Sequence, residues 1–136
     1  MLGLLLVGTM GLSNCVASSA PTGPFANVRG TWSYAGQQTA PVRSISGTLV
    51  VSAQSGDLIT GMVSLEQSDG LGGITTLAGP LSGRVIELTD ADFDVAVAGT
   101  DRRHVARISA NHDTLVGVWA QVGGGVSGTF RATRVP

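Results

Sequence analysis

A glycine recurs in the middle of the most regular apolar stretches of this chain. The pattern apolar-x-Gly-x-apolar appears as ISGTL (Ile45–Leu49), ITGMV (Ile59–Val63), LVGVW (Leu115–Trp119) and VSGTF (Val126–Phe130). Around each of them apolar and polar residues alternate with a period of two, the pattern of a half-buried strand. Glycine inside a strand weakens pairing and packs nothing, so its repeated use there serves geometry. Where a small sheet curves hard enough to close, inward side chains crowd one another, and mid-strand glycines relieve that crowding. The expected fold is all-β, a small antiparallel up-and-down β-barrel of about eight strands. A Gly-rich sandwich is the alternative that the same pattern allows. Closure has the further merit of leaving no unpaired strand edge.

The strands can be placed along the chain. Ser44–Ala53 sets Ile45, Gly47, Leu49, Val51 and Ala53 on one face, and QSGD at 54–57 is a turn. Leu58–Gln67 follows with Ile59, Gly61, Val63 and Leu65 on one side, before SDGLGG turns again. The period continues through Ile74–Leu81, Ser82–Leu88, Phe93–Ala98, His104–Ala110, Thr114–Val122 and Val126–Val135. With the opening RGTWSYAG the total is eight or nine strands. No stretch after the N-terminal region has a helical period with caps. Twenty glycines against only 4% aromatic and 12% charged residues fit this turn-rich β reading. All basic residues are arginines, balanced to a net charge of -1 and forming no run, so nucleic acid is not an expected partner.

The first residues differ in character from the rest. LGLLLVGTMGL is apolar but shorter than the roughly 20 residues that span a bilayer, and it matches a signal-peptide h-region. Residues 1–14 are therefore expected to be a signal peptide. Leu12-Ser13-Asn14-Cys15 resembles the lipobox of bacterial lipoproteins, with Asn14 standing where a smaller residue is usual. The resemblance implies cleavage before Cys15, the only cysteine, and its lipidation, giving a membrane partner and a cell-envelope location. Two other readings are a small buried hydrophobe at Cys15, or plain secretion with cleavage after Ser18-Ser19-Ala20. A lone thiol makes no internal disulfide in an oxidising compartment, which favours the handle. Residues 15–27, small, polar and punctuated by Pro and Gly, read as a flexible tether to a barrel domain spanning 28–136.

Gly30-Thr31-Trp32 at the first strand and the closing GTFRATRV resemble the calycin superfamily of lipocalins, avidins and related small barrels. In lipocalins the tryptophan of that motif closes one barrel end and an arginine near the last strand packs across it. The resemblance thus implies barrel-end packing of Gly30 and Trp32 with Arg131 or Arg134. First and last strands are neighbours in a closed barrel, and a guanidinium over an indole contributes about 0.5–2 kcal/mol. The avidin pattern departs after Trp32, where Ser33 and Tyr34 follow, and the several tryptophans of a biotin pocket reduce here to Trp119. Biotin is not an expected ligand.

The remaining residues with chemistry do not assemble into a reaction. His104 and His112 are the only imidazoles, with Asp101 and Asp113 the carboxylates beside them, too few ligands for zinc. Asp90, Asp92 and Asp94 mimic the start of a calcium loop, but Val95 occupies the glycine position and Asp101 the glutamate position. They read better as the polar face of a strand with Phe93, Val95 and Val97 inward. Arg102 or Arg103 would then pair with them across a hairpin. The Gly-rich segments lack a following helix or Lys-Ser/Thr, so they cradle no phosphate. No catalytic residue, metal or cofactor is expected. Three function classes follow: a binding module for a small apolar ligand or an envelope partner, with Trp32, Tyr34, Trp119 and Phe130 as wall or plug residues; a protease-inhibitor-like interaction barrel; and an enzyme. The first is the one the sequence favours.

Overall fold

A computed structural model of the protein describes residues 24–136. Eight strands follow in chain order: β1 (Gly30–Gln38), β2 (Arg43–Ser55), β3 (Leu58–Ser68), β4 (Ile74–Ile86), β5 (Asp90–Val97), β6 (Thr100–Ile108), β7 (Thr114–Gln121) and β8 (Ser127–Arg134). Each pairs antiparallel with the next, and β1 pairs with β8 from Trp32↔Arg134 to Gln38↔Gly128, so the sheet is a closed barrel. The turns after β1, β3, β5 and β7 gather at one end, here the upper end. The turns after β2, β4 and β6 and both ends of the described chain lie at the lower end.

Alternation decides what fills the barrel. Inward positions carry Trp32, Tyr34, Ile45, Leu49, Val63, Leu65, Leu77, Leu81, Phe93, Val95, Trp119 and Phe130, all buried. Outward positions are mostly Ser, Thr and charged residues, the reverse of a lipid-facing barrel. The inward glycines mark where neighbouring backbones come too close for a side chain. A Cβ on Gly61 would run into the Val50 carbonyl, and one on Gly117 into the Val105 carbonyl. The repeated glycine is thus a record of curvature.

Three details differ from the sequence expectation. Ile74–Leu81 and Ser82–Leu88 form one strand, β4, which brings the eight or nine expected strands to eight. Gly79-Pro80 has the composition of a turn, yet pairing with β5 begins only at Leu81, and Pro80 stands just before that ladder, a position where proline is tolerated. Ala53 is exposed rather than inward. The register of β2 against β3 slips between Val51 and Ala53, a bulge that exchanges the faces beyond it and leaves Gln54 half-buried instead. Third, residues 24–27 belong to the folded body rather than to a tether: Ala26 is buried and its N–H donates to the Glu87 carbonyl at 2.9 Å. The expected signal peptide, Cys15 and the rest of the tether lie outside the described residues.

If close backbone approach fixes the curvature, Gly61→Ala will destabilise the barrel by about 1–3 kcal/mol. Ala78→Ser, on the exposed outer face of β4, will change it by less than about 0.5 kcal/mol. Urea unfolding of the two variants checks this, and equal effects at both positions would refute the role given to Gly61.

Candidate functional site

Each end of the barrel is plugged by an arginine stacked on a tryptophan. At the lower end the Arg134 guanidinium carbon lies 4.4 Å from the centre of the Trp32 ring. Gly30 leaves room for it, since a Cβ there would stand 3.2 Å from an Arg134 Nη atom. The polar edges of this plug are all used. Trp32 Nε1 donates to the Val28 carbonyl at 2.9 Å. Arg134 donates to the carbonyls of Arg29 (2.7 Å), Asn27 (2.7 Å) and His112 (2.9 Å), and its Nε lies 3.5 Å from Asp113. Gln54, turned by the bulge, donates to the Ala26 carbonyl and accepts from the Val28 N–H, both at 2.9 Å. The chain segment before β1 is thereby stitched across the opening. Of the two arginines that the resemblance implies, Arg134 packs on Trp32. Arg131 does not, because its parity on β8 is opposite and it is exposed on the outer face.

The middle of the barrel holds an aromatic cluster. Tyr34 stacks on Phe130 at 5.3 Å and 6°, and Phe93 stacks on His104 at 4.8 Å and 9°. The His104 and Phe130 rings meet edge to face at 4.9 Å. His104 Nδ1 lies 3.0 Å from the Arg102 carbonyl, which only accepts, so Nδ1 carries the proton. Nε2 is then an acceptor, and Tyr34 donates its hydroxyl to it at 3.0 Å. Burial pushes the His104 imidazole down to about 4 and holds the Tyr34 phenol well above its ordinary value. Both side chains are neutral structural members.

The upper end repeats the plug with a different outcome. Arg102 lies 4.5 Å over the Trp119 ring. It is 8% exposed and Trp119 is 1% exposed, yet Arg102 Nε and Trp119 Nε1 both lack a hydrogen-bond partner. The remaining contact of the guanidinium is a long one, Nη2 to Gln67 Oε1 at 3.4 Å. No carboxylate pairs with Arg102 among the described residues, and burial lowers its affinity for its proton. Parity brings Gln38, Gln67 and Gln121 inward at this same end, where the lower end has Val, Ile and Leu. Around the rim stand Val42, Leu71, Ile74 and Val122, the four most exposed large apolar side chains among the described residues. Leu71 is held out by an ordered loop: Asp69 Oδ1 accepts from the N–H of Leu71 at 2.7 Å and of Gly73 at 2.9 Å.

The four aromatic residues expected as wall or plug residues are distributed along the barrel. Trp32 lies at the lower end, Tyr34 and Phe130 in the central cluster, and Trp119 at the upper end. Arg102, which the sequence offers as one of two partners for a surface ion pair, points inward instead. Its neighbour Arg103 makes that pair, 2.6 Å from Asp94 and 3.9 Å from Asp92, while Arg107 reaches Asp90 at 3.3 Å. Arg102 shares the inward parity of His104, Ala106 and Ile108, and that parity is the signal in the sequence that identifies it. His112 lies in the turn after β6, away from His104. No group of three or more His, Cys, Asp or Glu among the described residues is placed to hold a metal.

No protein-family model matches the chain, and no curated protein matches it. Among solved structures it is similar to a redesigned β-barrel, mFAP1, bound to DFHBI, at 12% identity and a TM-score of 0.67, covering 79% of this chain and 94% of that one. It is also similar to a fluorescence-activating β-barrel of de novo design, at 16% identity and a TM-score of 0.60, covering 79% of this chain and 93% of that one. At these identities the likeness is one of fold, a small β-barrel.

His104 has a measurable consequence for stability. An unperturbed histidine titrates near 6.5, whereas this one stays neutral down to about 4. Between those values the unfolded chain takes up a proton that the folded chain refuses, so the stabilisation is complete above the upper value and is lost as pH falls through the window. The loss is roughly 3 kcal/mol, from about 1.36 kcal/mol per unit. Urea unfolding across that range will show a shallower pH dependence for His104→Gln than for the wild type, and identical slopes would contradict the buried neutral imidazole.

Proposed function

We propose that the protein is a binding module and not an enzyme, a barrel that takes a small ligand at its upper end. The observation that carries this is the difference between two chemically alike plugs. At the lower end the donors of the Trp32–Arg134 pair meet carbonyls or a carboxylate of the chain. At the upper end the Trp119–Arg102 pair keeps two buried donors without acceptors. An unpaired buried donor costs about 1–3 kcal/mol, more when charged, so such a site is stabilised by a molecule that supplies the acceptor. The central aromatic cluster closes the way further down, which keeps the ligand near the mouth. That mFAP1, similar in fold, is a barrel bound to DFHBI supports a ligand site in a barrel of this kind. The Trp32–Arg134 closure supports the resemblance to calycins.

The address belongs to the same reading. The apolar leader and the lipobox-like Leu12-Ser13-Asn14-Cys15 support export and anchoring in a bacterial cell envelope by a lipid on Cys15. Replacing Cys15 with Ser is expected to move the protein from the membrane fraction to the soluble one, and unchanged retention would count against the anchor. For the ligand, the protein isolated from its own source under non-denaturing conditions is expected to show, by native mass spectrometry, an added small mass that denaturation removes. A bare-chain mass before denaturation would argue against a resident ligand.

A further inference from the structure

The upper end also says what kind of molecule fits. The free groups there are both donors, and one belongs to a guanidinium that stays protonated. The described residues place no carboxylate against it, and its partners in the chain are the face of Trp119 and a 3.4 Å contact to Gln67. A neutral acceptor would fill a hydrogen bond and leave that charge uncompensated; an anion does both. Charge alone, however, does not account for the rim. Val42, Leu71, Ile74 and Val122 stand out in water at this end, and Leu71, at 91% exposed, is fixed there by the Asp69 loop rather than by packing. At the lower end the chain segment before β1 supplies acceptors to the plug; no residue of the described chain does so for Arg102 Nε or Trp119 Nε1.

Resting on the reading of the upper end as a ligand site, we propose that it selects an amphiphilic organic anion, with an oxyanion on Arg102 and Trp119 and an apolar body against Val42, Leu71, Ile74 and Val122. The charged group faces inward and the apolar part caps the rim. Such a ligand would cover the exposed apolar side chains of the rim and would pair the one buried cation without a carboxylate among the described residues. An inorganic anion satisfies only the first half of the site, and a neutral or cationic amphiphile only the second.

The two indole N–H groups make the test direct. Trp32 Nε1 is bonded to the Val28 carbonyl and Trp119 Nε1 is free, so the 15N-labelled protein has one reporter in the site and one control outside it. Decanoate kept below micelle formation is expected to move the Trp119 indole resonance and leave that of Trp32 in place. Decanol and decylammonium are expected to need at least about tenfold higher concentration, and acetate more again. Trp119→Phe assigns the signal. Arg102→Gln is expected to abolish the preference for decanoate over decanol, with the unchanged Trp32 resonance showing that the barrel is intact. Equal response to decanoate and decanol, or a preference that survives Arg102→Gln in the intact barrel, overturns the anion while keeping the mouth as a site. Equal response to acetate and decanoate overturns the role of the rim. If no probe moves Trp119 the inference fails. The broader reading of a ligand site falls with it only if native mass spectrometry also finds the bare chain.

Discussion

Everything in this barrel depends on how near adjacent backbones come on its inner side. Eight strands leave an interior only wide enough for side chains, and bending the sheet that tightly brings inward Cα positions against neighbouring carbonyls. Glycine at 61 and 117 admits that contact where even a methyl group would not. The space so freed is taken up by a few large rings, since Trp32, Tyr34, Phe93, His104, Trp119 and Phe130 occupy an interior otherwise built of Val, Leu, Ile and Ala. Small and large inward residues are complementary parts of one packing solution. Gly36 shows it locally, with the Tyr34 ring lying where its Cβ would be, and Gly128 does the same for the edge of Trp119.

The same tryptophan–arginine pairing therefore appears at both ends for a common physical reason and meets different surroundings. A flat cation over an indole makes a broad stopper whose donors point outward around the ring. Whether those donors are satisfied depends on what the chain brings to them. At the lower end a bulge in β2, the segment before β1 and the turn after β6 all take part in the closure. At the upper end the turns supply no acceptor to Arg102 Nε or Trp119 Nε1. Between the two, a neutral Tyr34–His104 pair spans the interior and ties its imidazole to the backbone of the very residue that forms the upper plug.

Much of the architecture was legible because period and punctuation carry it. Two-residue alternation separated inside from outside along nearly every strand, and the recurring glycine pointed to closure. The misreadings came from signals with two meanings. Gly79-Pro80 reads as a turn, and only its position before the β5 ladder makes it part of a strand. Ala53 follows the parity of β2 until the bulge reverses it, and a bulge leaves no mark in composition. The inward arginine was harder to see for the same reason. Arg102 sits beside Arg103 in a polar run opposite three aspartates, and charge suggested the surface for both, whereas parity with His104 sends one inside and the other out. Which donors lack partners depends on loop geometry and is not written in residue types at all.

Both ends of the described chain emerge at the same pole. β1 begins and β8 finishes beside the Trp32–Arg134 plug, with Pro24 and Pro136 on that side of the barrel. Anything joined to either end, whether an anchor, a surface or a fused protein, is attached at the pole already shut and leaves the opposite one unobstructed. The two poles thus differ by topology alone, one carrying both ends of the described chain and the other neither. A body joined close to Pro24 or Pro136 would leave the turns after β1, β3, β5 and β7 facing away from it.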